Sequence, residues 1–335
     1  MIEFDNVTKV YNDDTVAIED VSFTVEEGTT TVLVGPSGCG KTTTMKLVNR
    51  LEDPTEGTVY FDGTDVLSQD RVELRRDIGY VIQEIGLFDH MTVGENVATV
   101  PELKGWEQDR IETRVDELLD LMDLPADQYR DQYPSSLSGG QRQRVGVARA
   151  LAADPDVLLM DEPFGALDPI TRSSLQDEFL EIQEQINTTI LFVTHSVDEA
   201  LKMGDRIAIF DVGELVRYDT PEKILENPGS EFVADFIGED RALKQLQVTT
   251  VRSVMRDEIP TRFTGGSNAS DGLVNTNDTL VPVEPSDSAQ TALSRIIQAG
   301  TDVIPVVKNG DVIGVVSESD IQDHTQMTAQ NTEAV

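Results

Sequence analysis

Apolar and polar positions alternate through the first part of the chain. "IEFDNVTKVY" (2–11) and "TVAIEDVSFTV" (15–25) keep a period of two, which predicts half-buried β-strands. "TTTVLV" (29–34) is a short β-branched run and predicts a buried strand. The period then changes. "TTMKLVNRL" (43–51) carries Met45, Leu47, Val48 and Leu51 at roughly helical spacing. "GTVYF" (57–61) and "IGYVIQ" (78–83) return to strand character. "EQDRIETRVDELLDLM" (107–122) sets Ile111, Val115, Leu118 and Met122 on one helical face. "DVLLMDEP" (156–163) and "TTILFVTH" (188–195) predict buried strands, and "RIAIFDVGELVRYDT" (206–220) predicts a hairpin turned at Gly213. Strands alternating with helices imply an α/β domain with a largely parallel sheet covered on both faces.

Helical patterning fades after "EFVADFIG" (231–238). This predicts a first domain over 1–240 and a linker over 241–247, in the run "EDRALKQLQ". Residues 248–326 then form a small separate α+β unit, and 327–335 a flexible tail. That unit contains a polar stretch (264–272) expected to be a long exposed loop, then "TLVPV", a helix "SAQTALSRIIQAG", a strand "DVIPVV", a turn "KNGD", a strand "VIGVVS" and a second helix from near Glu318.

Between the strand 29–34 and the helix 43–51 stands "GPSGCGKTT" (35–43). Gly35, Gly40, Lys41 and Thr42 fit G-x-x-x-x-G-K-[ST], and a strand before with a helix after is the context in which that pattern cradles phosphate. The glycines let backbone N–H groups turn inward around an anion, and the helix end adds partial positive charge. Gly35, Ser37, Gly38, Cys39, Gly40, Lys41, Thr42 and Thr43 would surround a triphosphate. Lys41 reaches its outer phosphates, and the Thr42 hydroxyl ligates Mg²⁺.

Two carboxylates, Asp161 and Glu162, stand at the exit of the strand 156–160, where packing gives no reason for them. The first suits Mg²⁺; the second can take a proton from an attacking water. His195 ends the next buried strand, where an imidazole can contact a terminal phosphate and orient that water. "LSGGQRQRV" (137–145) places Ser138, Gly139 and Gly140 at the start of a helix, a second anion-binding terminus. One chain does not need two such termini for one phosphate.

Charge narrows the partners. The 335 residues include 62 acidic and 26 basic ones, a net of −36, and the bases comprise 8 lysines against 18 arginines. The acids are spread along the chain, as in a cytosolic protein of a high-salt cell where counter-ions screen self-repulsion. Such a charge excludes nucleic acid as a partner, because phosphate neutralisation needs lysine and arginine. The lone cysteine, Cys39, rules out an internal disulfide and fits a reducing compartment. It is read as a small space-filler in the phosphate loop. No run approaches 18 apolar residues and no signal-like start is present, so the chain is expected neither to cross a membrane nor to be secreted.

The run "LSGGQRQRV" resembles the signature of ABC (ATP-binding cassette) ATPases, and over about residues 1–240 the family's other motifs occur in order. The resemblance implies the P-loop ABC ATPase fold, a mixed core sheet with antiparallel β and helical subdomains. It also implies two copies paired head to tail, with Ser138, Gly139, Gly140 and Gln141 of one closing on the ATP·Mg²⁺ of the other. Tyr11 resembles the aromatic residue that stacks on adenine. Gln83 resembles the glutamine that senses Mg²⁺ and water and links to the transporter. Asp168 in "GALD" resembles the aspartate that touches the facing copy, with Gly165 where serine is commoner. Glu162, His195, Gln83 and Lys41 thereby become the expected catalytic set, and Thr42, Gln83 and Asp161 the expected Mg²⁺ set.

Only 97 positions separate Lys41 from Ser138, too few for the coiled-coil insertion of DNA-repair members, and one cassette rather than two sets the chain apart from translation factors. A transport subunit remains, peripheral on the cytoplasmic face of the membrane. Its partners would be a separate permease and, indirectly, an extracytoplasmic solute-binding protein. "QEIGLFDHMTVGENVATVPELKGW" (83–106) resembles the region of glycine betaine, carnitine and choline importers that receives a permease helix, with Asp89 where proline is usual. "DVIPVVKNGDVIGVVSESDI" (302–321) resembles a cystathionine-β-synthase-like (CBS) module, with a remnant of a second around "TVRSVM" (250–255). Such a tail reads as regulatory or as a dimer-stabilising appendage. The competing functions are import of another small solute, such as an amino acid, and a regulatory ATPase without a permease.

Overall fold

The computed structural model describes residues 1–83, 86–186, 188–259, 274–275, 278–279 and 281–324. The expected loop 264–272 and tail 327–335 lie outside the described residues. By internal contacts the chain divides into two compact units, Met1–Tyr218 and Asp219–Val335.

In the first unit, the two expected strands β1 (Ile2–Val10) and β2 (Val16–Val25) pair antiparallel. β3 (Thr30–Val34) leads into α1 (Lys41–Val48), then β4 (Glu56–Phe61), β5 (Thr64–Asp65), α2 (Arg71–Arg76) and β6 (Ile78–Val81). A helical stretch follows: α3 (Val93–Leu103), α4 (Gln108–Leu121), α5 (Ala126–Tyr129) and α6 (Gly139–Leu151). Then come β7 (Val157–Asp161), α7 (Pro169–Gln185), β8 (Thr189–Thr194), α8 (Val197–Met203), β9 (Arg206–Asp211) and β10 (Glu214–Asp219).

Two sheets result. One is four-stranded, in the order β2-β1-β4-β5; the other is six-stranded, in the order β10-β9-β3-β8-β7-β6, with β9, β3, β8, β7 and β6 parallel to one another. The apolar runs explain the second sheet. Val32, Leu33, Val157, Leu158, Leu159, Ile190, Leu191 and Phe192 have no solvent exposure, as central parallel strands require. The Phe4 ring stacks on its cross-strand partner Phe23 at 4.5 Å, and Phe23 meets Phe210 of β9 edge to face at 6.5 Å, joining the two sheets in one core. Parallel strands β3, β7 and β8 all end on the same edge, so Gly35, Asp161 and His195 arrive there together.

The second unit contains α9 (Pro221–Glu226), α10 (Glu231–Ile237), α11 (Arg241–Val248), α12 (Val251–Val254), the short pair β11 (Val274–Asn275) and β12 (Asp278–Thr279), α13 (Ala289–Ala299) and the hairpin β13 (Val303–Lys308) and β14 (Asp311–Ser317). The run expected as a linker is the helix α11. Lys244 reaches back to the Ile237 carbonyl (2.9 Å) and the Asp240 carboxylate (2.7 Å), tying that helix to the end of α10. The "TVRSVM" run forms α12, and Val251 and Val254 enter one core with Val283, Ile296, Ile304, Val306 and Val316.

Candidate functional site

The phosphate loop turns directly from β3 into α1. Gly35 and Cys39 are buried, whereas Ser37 and Gly38 face outward. Lys41 is 5% exposed, and its Nζ donates to the carbonyls of Gly35 and Pro36 (2.8 Å each), 3.6 Å from the Cys39 sulfur. The ammonium is thus held inside the loop it serves. Burial pushes the Cys39 thiol up, against the pull of Lys41.

The two strand-exit carboxylates face different partners. Asp161 Oδ1 accepts from the Thr42 hydroxyl (3.1 Å), and burial raises its carboxyl above the ordinary range, the Thr42 hydrogen bond working against this. Tyr80, beside it on β6, is pushed up to about 12 by burial and the Asp161 charge. Glu162 stands in the left-handed region (φ 46°), with its N–H donating to the Val193 carbonyl of β8 (2.9 Å). That turn brings Glu162 Oε2 to 3.3 Å from Gln83 Nε2 and 3.4 Å from His195 Nδ1. Gln83, Glu162 and His195, 112 positions apart at the extremes, converge on one carboxylate oxygen.

Tyr11 lies near the start of α1, its hydroxyl 3.3 Å from the Thr43 hydroxyl and the Lys9 ammonium 5.2 Å from its ring centre. Ser138 caps α6: its Oγ accepts from Gln141 N–H (3.2 Å), while Gln141 Oε1 accepts from Ser138 N–H (2.9 Å). Asp168 caps α7 through Ile170 and Thr171 N–H (3.2 Å each), and the Thr171 hydrogen bonds hold its carboxyl below the usual range.

A family model described as ABC transporter matches residues 18–165, and one described as CBS domain matches residues 270–325. The carnitine transport ATP-binding protein OpuCA of Listeria monocytogenes is 46% identical over 314 residues, 93% of this chain and 74% of that protein. The osmoprotectant import ATP-binding protein OsmV of Salmonella typhimurium is 48% identical over 265 residues, 78% of this chain and 69% of that one. A solved dimer of the ATP-binding cassette MJ0796 bound to ADP and Pi is 34% identical, with TM-score 0.59, covering 66% of this chain and 99% of that one.

The chain belongs to the ABC transporter ATP-binding proteins.

As a member of that family it is an ATPase of the P-loop ABC fold with a CBS domain in its C-terminal part. The cassette's edge also contains a network that no local sequence pattern marks. Glu199, 6% exposed on α8, accepts from the Thr194 hydroxyl (2.5 Å) and the Gln176 amide (3.1 Å), and Arg172 lies 3.9 Å away. Arg172 also donates to the carbonyls of Phe164 and Leu167 (3.2 and 3.1 Å). The turn after Glu162 and the strand end before His195 are thereby fixed to one another. In the sequence Glu199 looks like one more acid on a helix; its position four residues after His195 is the only local signal.

Gly40 ends the loop at φ 104°, and a Cβ there would lie 2.4 Å from Ile18 Cγ2 and 2.5 Å from the Ala17 carbonyl. Gly40→Ala is therefore expected to cost about 2 kcal/mol of stability and to abolish tight nucleotide binding. Thermal melting with and without ATP measures both; an unchanged midpoint with normal ATP-induced stabilisation would contradict the loop geometry.

Proposed function

We propose that the chain is the ATP-hydrolysing subunit of an importer for quaternary-ammonium compatible solutes of the glycine betaine, choline and carnitine class, working as a head-to-tail pair docked on a separate permease. The observation that carries hydrolysis is the convergence of Gln83 and His195 on Glu162 at the sheet edge beside the phosphate loop. The solute class is supported by the carnitine and osmoprotectant import proteins at 46% and 48% identity. A solute-binding protein outside the cell would deliver the cargo, and the cassette would sit peripherally on the cytoplasmic face. No described helix is long and apolar enough to cross a membrane.

Mg²⁺ fits the residues present. The desolvated Asp161 carboxylate and the Thr42 hydroxyl face each other as hard oxygen donors, with Gln83 on the same edge. Mg²⁺ is usually held by one or two protein ligands together with phosphate oxygens, the number that Asp161 and Thr42 would supply. That ion would neutralise phosphate charge. Lys41, released from the loop carbonyls, would hold the outer phosphates, and the loop N–H groups from Ser37 to Thr43 would line the rest. Tyr11 would stack on adenine, Glu162 would accept the proton of the attacking water, and His195 would orient it. Ser138, Gly139, Gly140, Gln141 and Asp168 would meet the facing copy. In this reading residues 1–240 are the cassette, and 248–326 are a CBS module that tunes transport rather than performing chemistry.

Uptake by vesicles carrying the chain and its permease tests the solute. Labelled glycine betaine or choline should accumulate only with ATP on the cassette's side; accumulation of an amino acid instead would displace the proposal. The net charge of −36 supports a high-salt setting. Screening lengths fall from about 10 Å at 0.1 M to about 3 Å at 1 M salt. The melting midpoint should therefore rise by about 5 °C or more between those concentrations of KCl. A midpoint independent of salt would remove that reading.

A further inference from the structure

Behind the signature helix lies a cavity of about 300 Å³ between the end of α4, α6 and α7. Its walls are apolar and aromatic: Met122, Phe164 and Phe179 are at most 4% exposed, and the two rings meet edge to face at 6.3 Å. Gln143 of α6 lines it too. That residue is 3% exposed, and its Nε2 has no hydrogen-bond partner. A buried amide N–H without an acceptor is costly, and here it borders open space of ligand size. Leu121, Val147, Leu175 and Ile182 extend the apolar lining, and the charged part of the lining is unbalanced. Asp123, Glu178 and Glu181 line the cavity with a single guanidinium, Arg144, which already pairs with Glu178 at 2.5 Å and approaches Asp123 at 3.5 Å.

Aromatic and thioether walls, an excess of carboxylates and one unmet donor select a particular chemistry. A phosphate or carboxylic acid would meet the carboxylates unfavourably, and a hydrocarbon would leave Gln143 unsatisfied. A cation with apolar substituents satisfies both. We propose that this cavity binds a small quaternary-ammonium compound carrying a hydrogen-bond acceptor. Its methyl groups pack on Phe164, Phe179 and Met122, its charge is met by ring faces and carboxylates, and its acceptor takes the Gln143 N–H. Phe164 lies two residues after Glu162, and α6 begins at the signature glycines, so an occupant would pack on the two segments that carry them. The binding assignment rests on the cavity and is independent of which solute the permease carries.

Isothermal titration of the full chain at one KCl concentration decides it, with choline and its neutral carbon isostere 3,3-dimethylbutan-1-ol as probes. Choline should bind saturably at one site per chain, and the isostere about tenfold more weakly, the size of a lost cation–π attraction. Glu181 is exposed, so Glu181→Lys should fold and turn over ATP like the parent while weakening choline about tenfold. Gln143→Met should weaken choline severalfold and leave tetramethylammonium, which lacks an acceptor, unaffected. No saturable choline binding up to about 50 mM, equal affinity for the isostere, or indifference to Glu181→Lys would overturn the assignment.

Discussion

Glu162→Gln is expected to bind ATP as the parent does and to hydrolyse it at least about a hundredfold more slowly, the usual contribution of a positioned general base. The substitution keeps side-chain size and the backbone hydrogen bond from Glu162 N–H to Val193, so the strained turn at φ 46° remains. The proton acceptor is lost, along with the charge that gathers the Gln83 amide and His195 within 3.4 Å. ATP should then hold two copies together without being consumed. Phosphate release, ATP affinity and sizing chromatography with ATP and Mg²⁺ read the three consequences. Turnover near the parental rate, with no ATP-dependent dimer, would remove Glu162 from the role of base.

Lys41→Ala should have a comparable effect one step earlier, lowering ATP affinity by about a hundredfold. Two charge-assisted hydrogen bonds to phosphate, at about 1.5–3 kcal/mol each, are more than enough for such a loss. The buried ammonium bonds both Gly35 and Pro36 carbonyls, so its removal also leaves the loop without its internal tie. A fluorescent ATP analogue titrated against variant and parent gives the affinity, and a melting curve gives the loop's contribution to stability. Retention of parental affinity would mean that the loop N–H groups alone bind the phosphates.

Legibility in the sequence followed the environment of each element. β3, β7 and β8 are readable because strands covered on both faces are unbroken apolar or β-branched runs, and α4 because Ile111, Val115 and Leu118 repeat on one face. The phosphate loop is local, so its nine residues carry their own context. α7 was not legible in the same way: it is mostly polar, and its buried Leu175, Phe179 and Ile182 form a narrow stripe. α11 escaped because its two buried residues are the polar Lys244 and Gln245, which read as solvated positions. Residue identities at the site could be read, but their meeting could not. Gln83 reaches Glu162 across 79 positions, and Gln176 reaches Glu199 across 23, through sheet order that no local pattern encodes. Ser138 shows the converse, since its cap on α6 is local and visible in the sequence, while the facing copy it is proposed to meet is not.

Import of a quaternary-ammonium solute at the expense of ATP is tested most directly by ATP turnover of the chain reconstituted in sealed vesicles with the permease and solute-binding protein proposed for it. With ATP and Mg²⁺ on the cassette's side, glycine betaine or choline on the opposite side should raise turnover severalfold above the solute-free rate, and Glu162→Gln should abolish both rates. Turnover indifferent to these solutes but raised by an amino acid, or indifferent to every solute, would contradict it.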